Sequence, residues 1–303
     1  MTLTVAVIGD ALLDVALVPS EPMRPGGDVR ATVRVSPGGQ GANLAIRLAR
    51  RGVAVRLGCG LAEDAAGRLV REALEADGVS VQAVSVSVTG AVAILLDADG
   101  ERTMLSQRAP FIHAVDVAVL TTDAAWLVIS GYALLEDGAV GLAAHCATLP
   151  LRRAILGCDV PAASAAHWRR ALTAAQPDLL VLNTDEARAL APAQDGDAAW
   201  LGAALADDFG ALVLVTGPER AAAAGAGLRL TVDVPRDGGG AVDATGAGDA
   251  FAAAVLAAIG GAWPPDRDAL RVAMTEGIRT ARAVVAVLGA QGRVEGEPGV
   301  AKP

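Results

Sequence analysis

Short apolar runs rich in β-branched residues recur along this chain and alternate with segments of helical periodicity. The runs have strand length and lie at Thr4–Ile8, Val53–Leu57, Ala91–Leu96, Trp126–Ile129, Ala154–Leu156, Leu179–Leu182 and Ala211–Val215. The helical segments lie at Gly41–Arg51, Asp64–Ala76, Asp137–Ala147, Ala163–Ala174, Ala198–Asp207, Ala247–Ala258 and Arg267–Val287. This alternation predicts an α/β fold, a three-layer α/β/α sandwich with a mostly parallel central sheet. In such sheets ligands bind beyond the carboxyl ends of the strands, so a functional site is expected there.

Two segments break the alternation and predict a second, smaller sheet. Residues 15–36 contain three prolines and two adjacent glycines, followed by a stretch of alternating polarity. Residues 80–108 also alternate between polar and apolar side chains, with Asp99-Gly100 as a hairpin signal. We expect these extended segments to form a small β-sheet that covers the site as a lid. The chain is then one domain over residues 1–291 with a flexible tail at residues 292–303.

Composition excludes several classes of protein. With 303 residues, of which 53% are hydrophobic and 19% charged, the chain is globular and can bury a large core. A net charge of −9 and an aromatic content of 3% argue against a nucleic-acid partner. Cys59, Cys146 and Cys158 lack metal-ligand spacing and are typical of buried thiols in a cytosolic protein. Two aspartates interrupt the apolar residues 1–18, which favours a core strand over a signal peptide or membrane span. We therefore predict a cytoplasmic protein without a membrane partner.

The densest motif is the glycine-rich stretch Val242–Phe251, which opens a helix of small residues. A glycine-rich turn at a helix start points several backbone N–H groups in one direction, and the helix dipole adds partial positive charge. That arrangement can seat a phosphate, and Asp249 could take a proton from the group that attacks the phosphate. The alternative is an ordinary strand-to-helix turn in which Asp249 only complements the dipole.

The distribution of lysine limits how a phosphate could be held. The single lysine is Lys302, so nearly all positive charge comes from arginine. A Walker A loop, a protein-kinase strand lysine and a pyridoxal Schiff base each need an internal lysine. A phosphate bound by this chain would have to be held by backbone amides, arginine and a metal ion.

The chain after the first predicted strand carries two acids. Asp14 could accept hydrogen bonds from substrate hydroxyls or satisfy the amides of a turn, and the second role is the one expected for Asp10. Further along, the paired glycines Gly38 and Gly39 would let the backbone approach a ligand, and Asn43 offers a donor and an acceptor to a polyol. The same segment could be only a flexible turn.

Two later strands also end in polar residues. Asn183 and Glu186 lie three apart across a helix start, where they could position waters around Mg²⁺ or form an ordinary capping box. Thr216 and Gly217 follow the next strand and could face a nucleotide, although a turn needs no ligand to explain it. The arginines Arg47, Arg50 and Arg51 are predicted to form a solvated helix face rather than a phosphate clamp.

Taken in order, these motifs resemble the ribokinase-like carbohydrate kinases of the PfkB family. Gly38–Asn43 resembles the family's amino-terminal sugar-site signature, and Asp243–Phe251 resembles its carboxy-terminal signature. Asn183–Glu186 matches the family's N-x-x-E element. The resemblance extends from Gly9 to about Gln291 and implies the ribokinase-like fold with its small β-sheet lid.

The resemblance implies a role for the residues of the glycine-rich turn. Asp249 would be the base on the acceptor hydroxyl, and the amides of Gly246, Ala247 and Gly248 would form an anion hole for the transferred phosphoryl group. A loose phosphoryl-transfer transition state needs positioning and charge neutralisation more than a strong base. Asp249 is therefore expected to act at an ordinary carboxylate pKa.

The resemblance also implies where substrates and ions bind. The sugar would be held by Asp14, Gly38, Gly39 and Asn43. The nucleotide would contact Asn183, Thr216 and Gly217. Mg²⁺ would be organised by Glu186 through water, and a monovalent cation, often K⁺, by Asp243 and Thr245 with help from residues 286–290. Members of the family often pair through their lids, which implies a homodimer.

The chain departs from the family's pattern at three places. Arg220 stands where the nucleotide turn commonly has glycine, Gln40 stands where ribokinases usually have lysine, and Gln107-Arg108-Ala109 differs from the usual end of the lid. The predicted activity is ATP- and Mg²⁺-dependent phosphorylation of a hydroxymethyl group on a small sugar of the ribose, fructose or 2-keto-3-deoxygluconate type. The alternatives are a nucleoside kinase of the adenosine or pseudouridine type and a non-catalytic sugar- or nucleotide-binding regulator.

Overall fold

The computed structural model describes residues 3–96, 102–191, 196–235 and 245–286. In chain order the strands are β1 (Thr4–Ile8), β2 (Leu12–Pro19), β3 (Ala31–Gly38), β4 (Ala54–Leu61), β5 (Ser80–Ser85), β6 (Ala91–Leu96), β7 (Arg102–Gln107), β8 (Trp126–Ser130), β9 (Arg152–Leu156), β10 (Leu179–Asn183), β11 (Leu212–Thr216), β12 (Arg220–Gly225) and β13 (Leu228–Asp233). The α-helices are α1 (Gln40–Ala49), α2 (Ala65–Ala76), α3 (Val117–Leu120), α4 (Ala139–Ala147), α5 (Ala165–Ala175), α6 (Thr184–Leu190), α7 (Ala198–Phe209), α8 (Ala247–Ile259) and α9 (Arg267–Val285). The hairpin signal Asp99-Gly100 and the predicted tail at 292–303 lie outside the described residues.

Within the described ranges, nine strands form the large sheet in the order β13-β12-β11-β10-β9-β8-β1-β4-β5. All neighbouring strands from β11 to β5 are parallel, and β12 and β13 extend the sheet in antiparallel fashion beyond β11. Successive side chains of a strand point to opposite faces, so Val5 and Val7 pack on one side of the sheet and Ala6 and Ile8 on the other. The first side is covered by α1, α2, α8 and α9, and the second by α4, α5 and α7. The predicted three-layer α/β class is confirmed.

A separate four-stranded sheet has the order β3-β2-β6-β7. The outer pairs are antiparallel, and the central β2 and β6 are parallel. One expectation for this sheet is wrong, because Ser80–Ser85 forms β5 and pairs with β4 at the edge of the large sheet. An edge strand with one half-exposed face shows the same alternation of polarity as a lid strand, so the pattern could not separate the two.

Helix α8 is apolar on all sides because it lies between other helices. It packs against α1 and α9, and its residues from Asp249 to Leu256 are all buried. The fit to α9 is close: a Cβ added at Gly277 would lie 2.7 Å from the ring of Phe251. This packing fixes the start of α8 at the carboxyl edge of the large sheet, where a ligand site is expected.

Candidate active site

Helix α8 begins at the glycine-rich turn, and its first turn borders open space. Gly246 adopts a left-handed conformation with φ of 77°, which glycine tolerates without strain. The amide of Ala250 donates the first helical hydrogen bond, 2.9 Å to the Gly246 carbonyl, so the amides of Ala247 and Gly248 precede it. A Cβ added at Gly248 would meet no heavy atom within 4 Å. The turn therefore has the form of a phosphate seat.

Asp249 lies in the first turn of α8 with its side chain buried. Its Oδ2 accepts a hydrogen bond of 3.0 Å from Nδ2 of Asn43 on α1. Burial raises the pKa of Asp249 to about 7. The Asn43 hydrogen bond lowers this pKa, whereas the negative charges of Asp10 and Glu186 raise it further. The expectation of an ordinary carboxylate pKa is wrong, and the raised pKa suits a proton acceptor that works near neutral pH.

Gly38 at the end of β3 and Gly39 before α1 are both closely packed. A Cβ at Gly38 would lie 2.1 Å from the carboxylate of Asp14, so a side chain there would displace that carboxylate. Gly39 has a positive φ of 93°, and a Cβ there would lie 2.6 Å from the carbonyl oxygen of Asp10. Asp14 itself is buried, with 7% of its surface exposed. A merely flexible turn does not account for these contacts.

Asp14, Asn43 and Asp249 line one cavity of about 230 Å³, which we call the inner cavity. It lies between the small sheet and the carboxyl edge of the large sheet. Its described lining consists of Leu12, Asp14, Gly39, Gln40, Asn43, Val92, Met104, Arg108, Tyr132, Leu156, Gly157, Val181, Leu182, Asn183, Glu186, Thr216, Thr245, Gly246, Gly248 and Asp249. Gly38 is not in this lining because it packs beneath Asp14, and Asp243 lies outside the described residues.

A larger space of about 830 Å³, which we call the outer groove, adjoins the inner cavity. Its described lining consists of Asn183, Thr184, Asp185, Arg188, Thr216, Gly217, Pro218, Ala221, Val234, Ala247, Gly248, Phe251, Ile278, Ala281, Arg282 and Val285. The two spaces share Asn183, Thr216 and Gly248. They therefore meet at the amino terminus of α8, with Asp249 on the inner side.

Asn183 and Glu186 form the capping box of α6. The Asn183 side chain accepts from the amides of Asp185 and Glu186, both at 2.9 Å, and Oε2 of Glu186 accepts from the Asn183 amide at 2.7 Å. Glu186 also lines the inner cavity, where burial raises its pKa to about 7. The capping-box alternative is thus confirmed, and it holds an acid in the wall of the inner cavity beside Asn183, which lines both spaces. Among the described residues, no group of three or more His, Cys, Asp or Glu side chains could by itself hold a metal ion.

The register of the sheet brings Thr216 beside Asn183, since the two residues are partners on the parallel strands β10 and β11. The Thr184 hydroxyl donates to the Thr216 carbonyl at 2.9 Å, and the Thr216 hydroxyl donates to the Leu182 carbonyl at 3.3 Å. Gly217 follows in the wall of the outer groove. The two strand ends are therefore joined where the inner cavity and the outer groove meet.

Gln40 is a site residue whose contacts the sequence did not reveal. Its Nε2 donates to the Gly157 carbonyl at 2.6 Å, and its Oε1 accepts from the Ser130 hydroxyl at 2.7 Å and from the Gly131 amide at 2.9 Å. Gly157 in turn packs on Glu186, since a Cβ at Gly157 would lie 2.2 Å from the carboxylate. Gln40 thus ties the start of α1 to the ends of β8 and β9.

Arg108 is a second unanticipated site residue. It forms an ion pair with Asp10, which lies between β1 and β2, and its guanidinium lies 3.8 Å above the centre of the Tyr132 ring. The ion pair connects the segment just before β2, the first strand of the small sheet, to the segment just after β7, its last strand. Its only sequence signal is the departure from the family's usual lid ending.

The predicted solvated face of α1 is wrong. Arg47 is buried, with 1% of its surface exposed, and its positive charge lowers the pKa of Asp249. Arg50 pairs with Asp77 at 2.8 Å. Because α1 lies beneath α8, one side of the helix is covered even where the sequence places arginine.

Comparisons with known proteins agree with this geometry. The family model described as pfkB family carbohydrate kinase matches residues 2–294. A ribokinase from Thermotoga maritima is 21% identical, with a TM-score of 0.76 over 96% of this chain and 95% of its own. An adenosine kinase from Sinorhizobium meliloti is 20% identical, with a TM-score of 0.77 over 97% of each chain. A ribokinase from Cryptococcus neoformans in complex with ADP is 21% identical, with a TM-score of 0.74 over 96% of each chain. No curated protein matches the sequence. The protein belongs to the pfkB family of carbohydrate kinases.

Proposed function

We propose that this protein is an ATP-dependent kinase that phosphorylates a hydroxymethyl group of a small sugar. One observation carries the proposal: the inner cavity and the outer groove meet at the amino terminus of α8, beside the buried carboxylate of Asp249. Phosphoryl transfer needs two substrates in line with a positively polarised seat between them. The inner cavity and the outer groove lie on either side of the glycine-rich turn of α8, and this order matches that requirement.

The outer groove would take the nucleotide. Its volume of about 830 Å³ is within the usual range of ligand sites, and its walls combine apolar residues such as Phe251 and Ile278 with the arginines Arg188 and Arg282. The ADP complex of the Cryptococcus neoformans ribokinase, which shares the fold, supports a nucleotide in this family.

In the proposed mechanism the oxygen of the acceptor hydroxyl bonds to the γ-phosphorus, and Asp249 accepts the proton of that hydroxyl. The bond between the γ-phosphorus and the bridging oxygen of the β-phosphate breaks, and ADP leaves. The amides of Gly246, Ala247 and Gly248 neutralise charge on the transferred group as it moves. These amides directly precede the buried residues Asp249–Leu256 of α8, so we expect little reorganisation of the turn during the reaction. Enclosure of the inner cavity by the small sheet would favour the acceptor hydroxyl over water.

Two cations belong to the proposal. Glu186, held in the wall of the inner cavity by the capping box, would organise Mg²⁺ through water, and oxygen ligands with retained hydration suit that ion. Bound Mg²⁺ supplies charge neutralisation on the nucleotide phosphates. Thr245 lines the inner cavity, and with Asp243 it would hold K⁺. Activity that is indifferent to a change from Na⁺ to K⁺ would remove the K⁺ site from the proposal.

The acceptor is proposed to be a small polyol. An inner cavity of about 230 Å³ is below the usual size of drug-like sites, and Asp14 and Asn43 offer it polar groups. A nucleoside acceptor is the second candidate, because Leu12, Val92 and Met104 give the cavity an apolar wall that could hold a base. Thermal shifts with ribose, fructose, 2-keto-3-deoxygluconate, adenosine and pseudouridine separate the two.

A homodimer through the small sheet is also proposed. Val35, Val15, Ala93 and Leu105 are successive register partners across its four strands, so they share the outer face. Val35 is 49% exposed and Leu105 62% exposed, which leaves an apolar surface open. Sedimentation should show a dimer that Leu105→Glu dissociates. Val272 on α9 is similarly exposed, at 67%, so Val272→Glu is the matched control and should leave the dimer intact.

The cytoplasmic location and the flexible tail remain predictions, as does the role of the small sheet as a lid. Within the described ranges, no helix combines the length and apolar character needed to cross a lipid bilayer.

The direct test is an ADP-release assay with the sugar and nucleoside panel, run on the wild type and on Asp249→Asn. The proposal expects acceptor-dependent ADP release by the wild type and a loss of at least about a hundredfold in the variant. A non-catalytic regulator would instead bind ligands and release no ADP with any acceptor.

A further inference from the structure

A second cavity lies beside the inner cavity, and three residues line both of them. This side cavity has a volume of about 160 Å³ and is lined by Asp10, Ala11, Leu12, Gly60, Gly90, Arg108, Ala109, Pro110, Phe111, Tyr132, Ala133, Leu135 and Glu136. It shares Leu12, Arg108 and Tyr132 with the inner cavity. Of these three residues at the boundary, Arg108 carries the longest side chain.

The contacts of Arg108 hold this boundary closed. Its guanidinium pairs with Asp10 and lies 3.8 Å above the centre of the Tyr132 ring. Asp10 is itself fixed, because it is buried and accepts from the Ser130 hydroxyl at 3.3 Å and the Gly41 amide at 3.4 Å. The Arg108 side chain keeps 30% of its surface exposed, so it can leave this position without opening the core.

The charges around the two cavities define the kind of ligand they suit. Asp14, Glu186 and Asp249 line the inner cavity, and Asp10 and Glu136 line the side cavity. Arg108 is the single cation among the described residues that line either space, and Asp10 balances its charge. Acids outnumber cations in the described lining of both spaces, so a negatively charged acceptor would be disfavoured there, whereas a neutral polyhydroxyl compound would not.

We propose that Arg108 determines the length of the acceptor by dividing one continuous acceptor site into two compartments. The side cavity behind it is a subsite for the distal ring or substituent of a neutral acceptor, and Arg108 keeps that subsite separate from the inner cavity. This inference rests on the proposed function, because it assigns a specificity role within the same site.

The test compares a short acceptor with a longer one that carries the same reacting group. The probes are fructose with lactulose, glucose with maltose, and adenosine with N6-benzyladenosine, and the pair used is the one whose short member the wild type phosphorylates. The quantity measured is the kcat/KM of the long acceptor divided by that of the short one. Arg108→Ala should raise this ratio about tenfold or more, because a wall has been removed from one side of the pocket.

Two further variants separate size from structure. Leu135 lines only the side cavity, so adding Leu135→Phe to Arg108→Ala should return the ratio to within about threefold of the wild type. Arg108→Lys keeps a long cationic side chain and should give a ratio between those of the wild type and Arg108→Ala, which keeps the test usable where the alanine variant does not fold.

The outcomes are distinguishable. A purely structural Arg108 would lower kcat/KM for both acceptors alike and leave the ratio unchanged, which overturns the inference while the kinase assignment stands. The same conclusion follows if Leu135→Phe does not reverse the gain. A wild type that releases no ADP with these short acceptors or with any other member of the sugar and nucleoside panel overturns the proposed function together with the inference.

Discussion

The hydrogen bond from Asn43 to Asp249 sets up the sharpest prediction. Nδ2 of Asn43 lies 3.0 Å from Oδ2 of Asp249, and the contact is buried. It opposes the burial that raises the pKa of Asp249 to about 7. Asn43→Ala removes the donor and leaves the carboxyl group buried, so the protonated form of Asp249 becomes more favourable.

The size of the change follows from the strength of the lost contact. A hydrogen bond to a charged group contributes about 1.5–3 kcal/mol, and one pH unit corresponds to about 1.4 kcal/mol, so the acid limb should move up by about one to two pH units. At pH 7.5 a group with a pKa near 7 is about three-quarters ionised, but after that shift only about 3–25% remains ionised. Activity at pH 7.5 should fall by about 3- to 25-fold for this reason alone, and about half to nine-tenths of the maximal activity should be reached at about pH 9.

The assay is a pH profile of kcat/KM for the acceptor at saturating Mg-ATP, measured on the wild type and on Asn43→Ala. Loss of a sugar contact would lower the whole profile, whereas loss of the hydrogen bond moves its acid limb, so the two effects separate. Thr173→Ala removes an exposed hydroxyl on α5, far from the site, and should keep the wild-type profile. An acid limb in Asn43→Ala that stays in place or moves to lower pH would refute the role assigned to this contact.

Three other substitutions test the site independently. Asp249→Asn should lower kcat by about 10²- to 10⁴-fold. The same substitution should raise the melting temperature at pH 8 more than at pH 5. The reason is that a carboxyl group with a raised folded-state pKa destabilises the fold as pH rises through about 7. An equal gain in melting temperature at both pH values would contradict the buried carboxyl group with a raised pKa. Gly38→Ala should raise KM for the acceptor by about tenfold with little change in kcat, because its Cβ would displace the Asp14 carboxylate; an unchanged KM would remove Asp14 from the acceptor site. Glu186→Gln should keep the capping box, since glutamine serves at that position, and should raise the Mg²⁺ concentration needed for half-maximal activity; an unaltered Mg²⁺ dependence would leave Glu186 with a structural role only.

Much of the fold could be predicted because its signals are local. Buried parallel strands appear as continuous apolar runs, and Trp126–Ser130 and Leu179–Asn183 lie where those runs predict them. The edge strand Ser80–Ser85 was misplaced because its alternating pattern is shared by lid strands and by half-exposed edges. Which strand it pairs with depends on residues far away in the sequence, and local polarity carries no such information.

The site residues that belong to glycine- and asparagine-containing signatures could be predicted. Properties that depend on tertiary contacts, such as the pKa of a carboxyl group or the burial of an arginine, could not. Asp249 and Asn43 meet across 206 positions of sequence, and their distance of 3.0 Å is what alters the carboxyl pKa. Arg47 is typical of a solvated helix face until α8 covers it. The bridging contacts of Gln40 join the start of α1 to the ends of β8 and β9, which only the fold brings together.

The central proposal is that a phosphoryl group passes from ATP to an acceptor hydroxyl at the amino terminus of α8, and that Asp249 accepts the proton of this hydroxyl. The most direct measurement is ³¹P NMR of a reaction containing the protein, Mg-ATP and the best acceptor of the panel, with Asp249→Asn run in parallel. We predict a new phosphomonoester signal, coupled to methylene protons, that grows in step with ADP in the wild type and is nearly absent in the variant. Release of inorganic phosphate without a phosphomonoester, or equal ester formation by Asp249→Asn, would contradict the claim.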